Sequence, residues 1–208
     1  YSNPKNWEDD IFYVDTCLVE VNWKTEAEHI AVKEGTRIIE AHAFALCKNI
    51  KSITIPDSVE IIGAQAFESC SSLESVYIGS GVKKIGGAPF IFDVEGKPCS
   101  KLKNIEVSKD NKNYTSVDGV LFNKGMTELI QYPIGKNQKE YIISDSVTKI
   151  GYGAFCFCDE LIKLTVGKGI TVIDDCLLFG CDNIETVILP ETLTKLDGGA
   201  FKYSGIKY

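Results

Sequence analysis

Apolar positions along this chain recur every 23 residues. Phe44, Phe67 and Phe90 keep that spacing and, after a longer interval, Phe155, Leu178 and Phe201 resume it; Ile39, Ile62 and Ile85 repeat it, as do Ile150, Ile173 and Leu196. The second half of each copy has its own register. Ile50, Leu73, Leu102, Leu161 and Ile184 share one position, Ile53, Val76, Ile105, Leu164 and Val187 the next, and Ile55, Ile78, Val107, Val166 and Leu189 a third. The end of this L-x-x-L-x-L pattern alternates as a short half-buried strand does, and Pro56, Gly79, Gly167 or Pro190 stops it. The pattern predicts strands at 30–32, 53–55, 76–78, 105–107, 141–143, 164–166 and 187–189. Each copy reads as a strand, a turn, a compact segment carrying Ala-Phe, and a return. A unit this small cannot bury its own apolar face, so the copies must stack as a solenoid with a ladder-like core. Parallel strands about 4.8 Å apart would then form a sheet roughly 30 Å long.

The period breaks twice. Six residues are inserted within Ile91 to Pro98, which reads as a surface loop, and Val107 to Ile143 spans 36 residues where 23 are expected. The longer break holds two strand-like runs, Val120-Leu121-Phe122 and Leu129 to Tyr132, around Asn123-Lys124-Gly125. That is the signature of a hairpin, expected to replace the Ala-Phe segment. Val14 to Leu18 resembles Val117 to Leu121. The expected organisation is one domain, 1–208, with a cap-like segment over about 1–28 and repeats over 29–208. The start at Tyr1 without Met, and a last copy that stops before its strand, lead us to expect a piece of a longer protein.

Composition narrows the function by exclusion. With 44% hydrophobic and 25% charged residues the 208-residue chain is ordinary for a globular protein. A net charge of -7 without a basic run argues against nucleic acid as a partner. No apolar run approaches the roughly 18 residues that span a bilayer, and no signal-peptide pattern is present. The two histidines, His29 and His42, have no nucleophile at a motif-like distance, and Gly79 to Lys84 lacks the spacing of a phosphate-binding loop. Gly63, Gly86 and Gly151 recur at a turn slot and serve backbone shape. We therefore expect no enzyme and no cofactor. Asp159 and Asp182, with Glu160, Asp174 and Asp175 nearby, are either solvated turn carboxylates or a weak calcium site.

The motif Val59-x-x-Ile62-Gly63-x-x-Ala66-Phe67-x-x-Cys70-x-x-Leu73-x-x-Val76-x-Ile78 resembles the BspA-type branch of bacterial leucine-rich repeat proteins, over about His29 to Phe201. Ser116 to Phe122 and Tyr132-Pro133 also resemble phrases common in that family. Pro89, Leu178 and Ser204 depart from it where Ala, Phe and Cys are usual. The resemblance implies an α/β-type repeat solenoid, a right-handed β-α superhelix with a parallel concave sheet of short strands, the hairpin lying on the convex side. It also implies an extracellular or cell-surface setting and, as partners, proteins or glycans, host extracellular matrix among them.

Five of the eight cysteines, Cys47, Cys70, Cys99, Cys158 and Cys181, fall in a slot that turns inward in such repeats and reads as buried thiol, with disulfides between coils as an alternative. Cys17, Cys156 and Cys176 lie off that ladder, and a zinc set from Cys156, Cys158, Cys176 and Cys181 is a further alternative. Between core positions the strands present Ala31, Thr54, Tyr77, Glu106, Ile142, Thr165 and Ile188 to the concave side. From Thr54 to Ile188 these are our candidate binding residues. Tyr114, Phe122, Lys124 and Met126 of the hairpin form an alternative site, with Phe122 equally a core candidate. The function these features suggest is a non-enzymatic module that presents a rigid surface to a protein or glycan; the alternative is a structural spacer.

Overall fold

The computed structural model describes residues 6–90 and 98–206. The six-residue insertion expected within Ile91 to Pro98 falls almost wholly outside these residues. The predicted strands form within a residue or two of their expected places. His29–Ala31, Ser52–Ile55, Ser75–Ile78 and Asn104–Val107 make a parallel four-stranded sheet, with Ile30, Ile53, Val76 and Ile105 side by side. Glu140–Ile142, Lys163–Thr165 and Thr186–Ile188 make a parallel three-stranded one. One continuous sheet was expected; the longer period break separates two.

A second ladder runs along the stack. Ile38–Ile39, Ile61–Ile62 and Lys84–Ile85 pair in parallel, and past the break Val172–Ile173 pairs with Lys195–Leu196. These strands have two residues each, too short for alternation to announce them. Their Ile39, Ile62, Ile85 periodicity was legible only as core.

The expected α/β character is corrected. Among the described residues there is no α-helix; residues 41–46 and 64–69, the segments that carry Ala-Phe, are pure turn. Within each, the residues two before and two after the core aromatic have left-handed backbone, as His42 (φ 59°) and Leu46 (φ 63°) do around Phe44, and Gln65 (φ 52°) and Ser69 (φ 55°) around Phe67. A left-handed residue ends a right-handed helix. Three residues between two such stops are also too few to nucleate one.

The hairpin is likewise not an appendage on a convex side. Tyr114–Val117, Val120–Asn123 and Glu128–Gln131 pair antiparallel, and the third strand then pairs in parallel with Lys149–Ile150 of the second ladder. Tyr132 takes the place of the core phenylalanine. Its ring stacks on Phe155 at 5.1 Å, and its N–H bonds to Ala154 O at 3.0 Å as Phe44 N–H does to Ala66 O at 2.8 Å. Trp7–Glu8, Ile11–Val14 and Cys17–Val21 do the same at the start of the chain, joining the ladder through Cys17 and Leu18 beside Ile38 and Ile39. The phrases at 14–18 and 117–121 resemble each other because both close a hairpin, Val14 against Cys17 and Val117 against Val120.

The core follows this division. One cluster runs from Tyr13 to Ile105 and includes Leu121 and Ile134; the other begins at Val120, Phe122 and Leu129 and reaches Ala200. Phe44, Phe67 and Phe90 stack with centroids 5.4 and 5.1 Å apart. The turn slot of Gly63 is explained by close approach: a Cβ there would lie 2.3 Å from Ala41 N of the preceding coil, and at Gly86 2.2 Å from Ala64 N. Spacing of coils, not positive φ, demands glycine here.

All eight cysteines are free thiols. The five of the ladder are buried, and each of four donates to a carbonyl of the preceding coil: Cys47 to Val21 O (3.9 Å), Cys70 to Phe44 O (3.0 Å) and Cys181 to Phe155 O (2.9 Å), each 26 residues earlier, and Cys99 to Phe67 O (3.1 Å), 32 residues earlier across the six-residue insertion. Cys158 instead donates to Cys156 O at 3.7 Å. Burial pushes the Cys47 and Cys99 thiols up to about 12.

Candidate functional site

Strand alternation turns Ile53, Ile55 and their counterparts inward and leaves one row of each sheet facing solvent. In the four-stranded sheet, Thr54, Tyr77 and Glu106 lie in register as neighbours, all exposed. In the three-stranded sheet the row is Ile142, Thr165 and Ile188. The six candidate residues are thus two separate rows of three. The second is the more apolar, with Ile142 71% and Ile188 46% exposed, whereas Tyr77 is 36% exposed. Charged residues flank the rows and pair across coils: Lys51 with Glu28 at 2.7 Å, Lys139 with Glu160 at 2.6 Å and Lys163 with Glu140 at 3.4 Å.

The hairpin candidates divide. Phe122 is buried, and Met126 packs against the second core cluster. Lys124 is exposed. Tyr114 is half-buried and serves the scaffold, its hydroxyl accepting from Ile85 N–H at 3.0 Å. That N–H belongs to Lys84–Ile85, the last strand of its sheet, where a following coil would otherwise supply the acceptor. Beside this capped edge lies a groove of about 610 Å³ between Ile85 and Ile130, Ile150 and Ile173. Ile85 and Ile150 keep the core register yet are half-exposed, because the stack is interrupted between them.

The remaining titratable candidates sit in coil-to-coil contacts. His29 Nδ1 meets Ser52 Oγ and His42 Nδ1 meets Glu68 Oε2, both at 2.7 Å. Asp159 Oδ1 accepts from Asp182 N–H at 3.3 Å, placing these two carboxylates on adjacent coils. Burial raises the Asp159 pKa, opposed by that hydrogen bond and reinforced by the Asp182 and Glu160 charges. Among the described residues, no three metal-ligating side chains gather into a set that could hold an ion.

Sequence reasoning missed an aromatic groove on the turn segments of the C-terminal coils. It encloses about 610 Å³ and is lined by Tyr152, Phe157, Phe179 and Tyr203, with Asp159 and Asp182 among the other walls. Phe157 and Phe179 meet edge to face at 5.5 Å, and Phe179 and Tyr203 at 5.2 Å. Tyr152 donates its hydroxyl to Cys176 Sγ at 3.5 Å. Gly180, at φ 68°, keeps the floor open: a Cβ there would lie 2.4 Å from the Phe157 ring. The 22- and 24-residue spacings of these rings fall on either side of the 23-residue period, which hid the row.

Among solved structures, the chain is similar to the pneumococcal vaccine antigen PcpA, at a TM-score of 0.58 and 23% identity over 93% of this chain and 54% of that one. It thus spans about half of that structure. It is also similar to the leucine-rich repeat protein TpLRR of T. pallidum, with a TM-score of 0.56 and 21% identity over 91% and 83% of the two chains. At these identities the likeness is one of fold. No curated protein matches the chain in sequence. The model of the BspA type leucine rich repeat region matches residues 21–139 and 134–208, in six copies. With two parallel ladders, a buried phenylalanine and cysteine in the coils, and that match over nearly the whole length, the chain belongs to the BspA-type leucine-rich repeat family.

Proposed function

We propose that this chain is a non-enzymatic binding module of a surface-associated bacterial protein, and that it engages a protein or glycan through the outward rows of its two sheets. The observation that carries this reading is the exposure of Ile142 and Ile188 on the two strands that flank the strand of Thr165. A rigid sheet gains nothing in solution from two large exposed apolar side chains, whereas a partner that covers them gains their burial. Family membership supports a repeat scaffold as the setting. The description of PcpA as a vaccine antigen supports surface association, since an antigen must be reachable. No described helix is long and apolar enough to cross a membrane.

The test is an array of host matrix proteins and glycans probed with the chain and with two double variants, Ile142→Thr/Ile188→Thr and Tyr77→Ala/Glu106→Ala. Threonine keeps the β-branched side chain that suits a strand, so folding is preserved while the apolar surface goes. A retained ligand lost by either variant, at unchanged melting temperature, supports the reading. Binding indifferent to both variants removes the sheet face as the site. No ligand on any array favours the spacer.

A further inference from the structure

The aromatic groove of the C-terminal coils is a separate feature. Phe179 and Tyr203 stand outside the core ladder, which already has Phe155 and Leu178 buried at those coils, while Phe157 also packs against the first core cluster. Phe157, Gly180 and Tyr203 each stand two residues after the core position, in the left-handed slot that turns a side chain away from the stack (φ 58°, 68° and 58°). In the N-terminal coils the same slot holds Leu46 and Ser69. A bulky aromatic is an uncommon occupant of that conformation. Here two of them, with Phe179 between, make a continuous edge-to-face row, and Tyr203 is 67% exposed.

The charge around the row is one-sided. Asp159 and Asp182 line the groove, and among the described residues no lysine or arginine lines it and neither carboxylate is ion-paired. Asp174 and Asp175 are exposed on the same coils, and the whole chain carries -7. One cation is already drawn to the row: Lys202 Nζ stands 5.2 Å from the centre of the Tyr203 ring. The ring faces and the two carboxylates therefore offer complementary contacts to one chemistry, a guanidinium or ammonium on a flexible stem.

We propose that this groove binds a basic segment of a protein partner, its arginine or lysine side chains stacking on Phe179 and Tyr203 and pairing with Asp159 and Asp182. Lys202 holds the site in the free chain and is displaced on binding.

The proposal is tested by titrating the chain with an acetylated, amidated (Gly-Arg)4 peptide, followed by amide chemical shifts and by calorimetry. Shifts should map to Gly180, Asp182 and Tyr203, and affinity should fall as salt is raised. Tyr203→Ala and Asp182→Asn alter exposed side chains and should each weaken binding about tenfold. Lys202→Met removes the competing cation and should tighten it. The double variant Tyr77→Ala/Glu106→Ala should change nothing, so this site and the sheet-face site fail or stand independently. Affinity of the Tyr203→Ala and Asp182→Asn chains equal to that of the unaltered chain would reduce the binding to general attraction by net charge and overturn the proposal. So would absence of binding, or preferential binding of a neutral hexasaccharide to the same residues.

Discussion

Phe67 is the side chain on which the stacking can be tested most directly. It is 1% exposed and lies between Phe44 at 5.4 Å and Phe90 at 5.1 Å, so each neighbouring coil packs against it. Truncation of a buried phenylalanine to alanine costs about 3–5 kcal/mol. The two ring contacts, each worth about 0.5–1.5 kcal/mol beyond burial, place this site at the upper end. We expect Phe67→Ala to cost about 5 kcal/mol. For a chain of this size that lowers the melting temperature by about 10–20 °C. Stability in a stacked array is carried by neighbours, and the core here is split at the hairpin into two clusters. Hydrogen exchange should therefore lose protection first in the coils from Val21 to Ile105, with Leu161 to Ile184 changed least. A shift below about 3 °C, or protection lost equally in both clusters, would refute the reasoning.

Three further outcomes follow from the same geometry. Gly63→Ala forces a Cβ to within 2.3 Å of Ala41 N, which only a backbone shift relieves, so a loss of about 1–3 kcal/mol is expected in urea unfolding. Gln65 sits at φ 52°, a conformation that costs a non-glycine residue about 1–2 kcal/mol. The greater freedom of glycine in the unfolded chain offsets part of the gain. Gln65→Gly should thus raise the melting temperature by about 2 °C. Cys47 and Cys99 keep their protons in the folded chain up to about 12, against 9.0 for an ordinary thiol. Their contribution is fully present below pH 9.0 and is lost as the pH rises through 12. A plot of melting temperature against pH should bend downward in that window, less steeply in the Cys47→Ala/Cys99→Ala chain.

How far the sequence reaches is best seen at particular positions. Ile53, Val76 and Ile105 predicted parallel strands in register, and Ile53↔Val76 and Val76↔Ile105 are the pairs that form. The two-residue strands such as Ile61–Ile62 were invisible as strands, since two residues carry no alternation. The left-handed residues were missed for a different reason: His42, Gln65, Phe157 and Cys176 share a conformation but no chemistry, so no residue type marks the slot. Of the candidate site, the outward rows followed from alternation alone. The aromatic groove did not, because Phe157, Phe179 and Tyr203 leave the exact period.

The 23-residue apolar repeat by itself determined that coils stack and which apolar residues face inward, because a unit without a core of its own has to find one in its neighbour; the resemblance to leucine-rich repeats added that the slot of Cys47, Cys70, Cys99, Cys158 and Cys181 turns inward. Only the tertiary structure decided what the irregular parts do. A strand's partner depends on which edge is free when it arrives, so the hairpin becomes a coil of the stack, Tyr132 enters the phenylalanine ladder, and the sheet divides in two. A surface groove depends on side chains brought together by coils of unequal spacing, and that proximity has no signature along the chain.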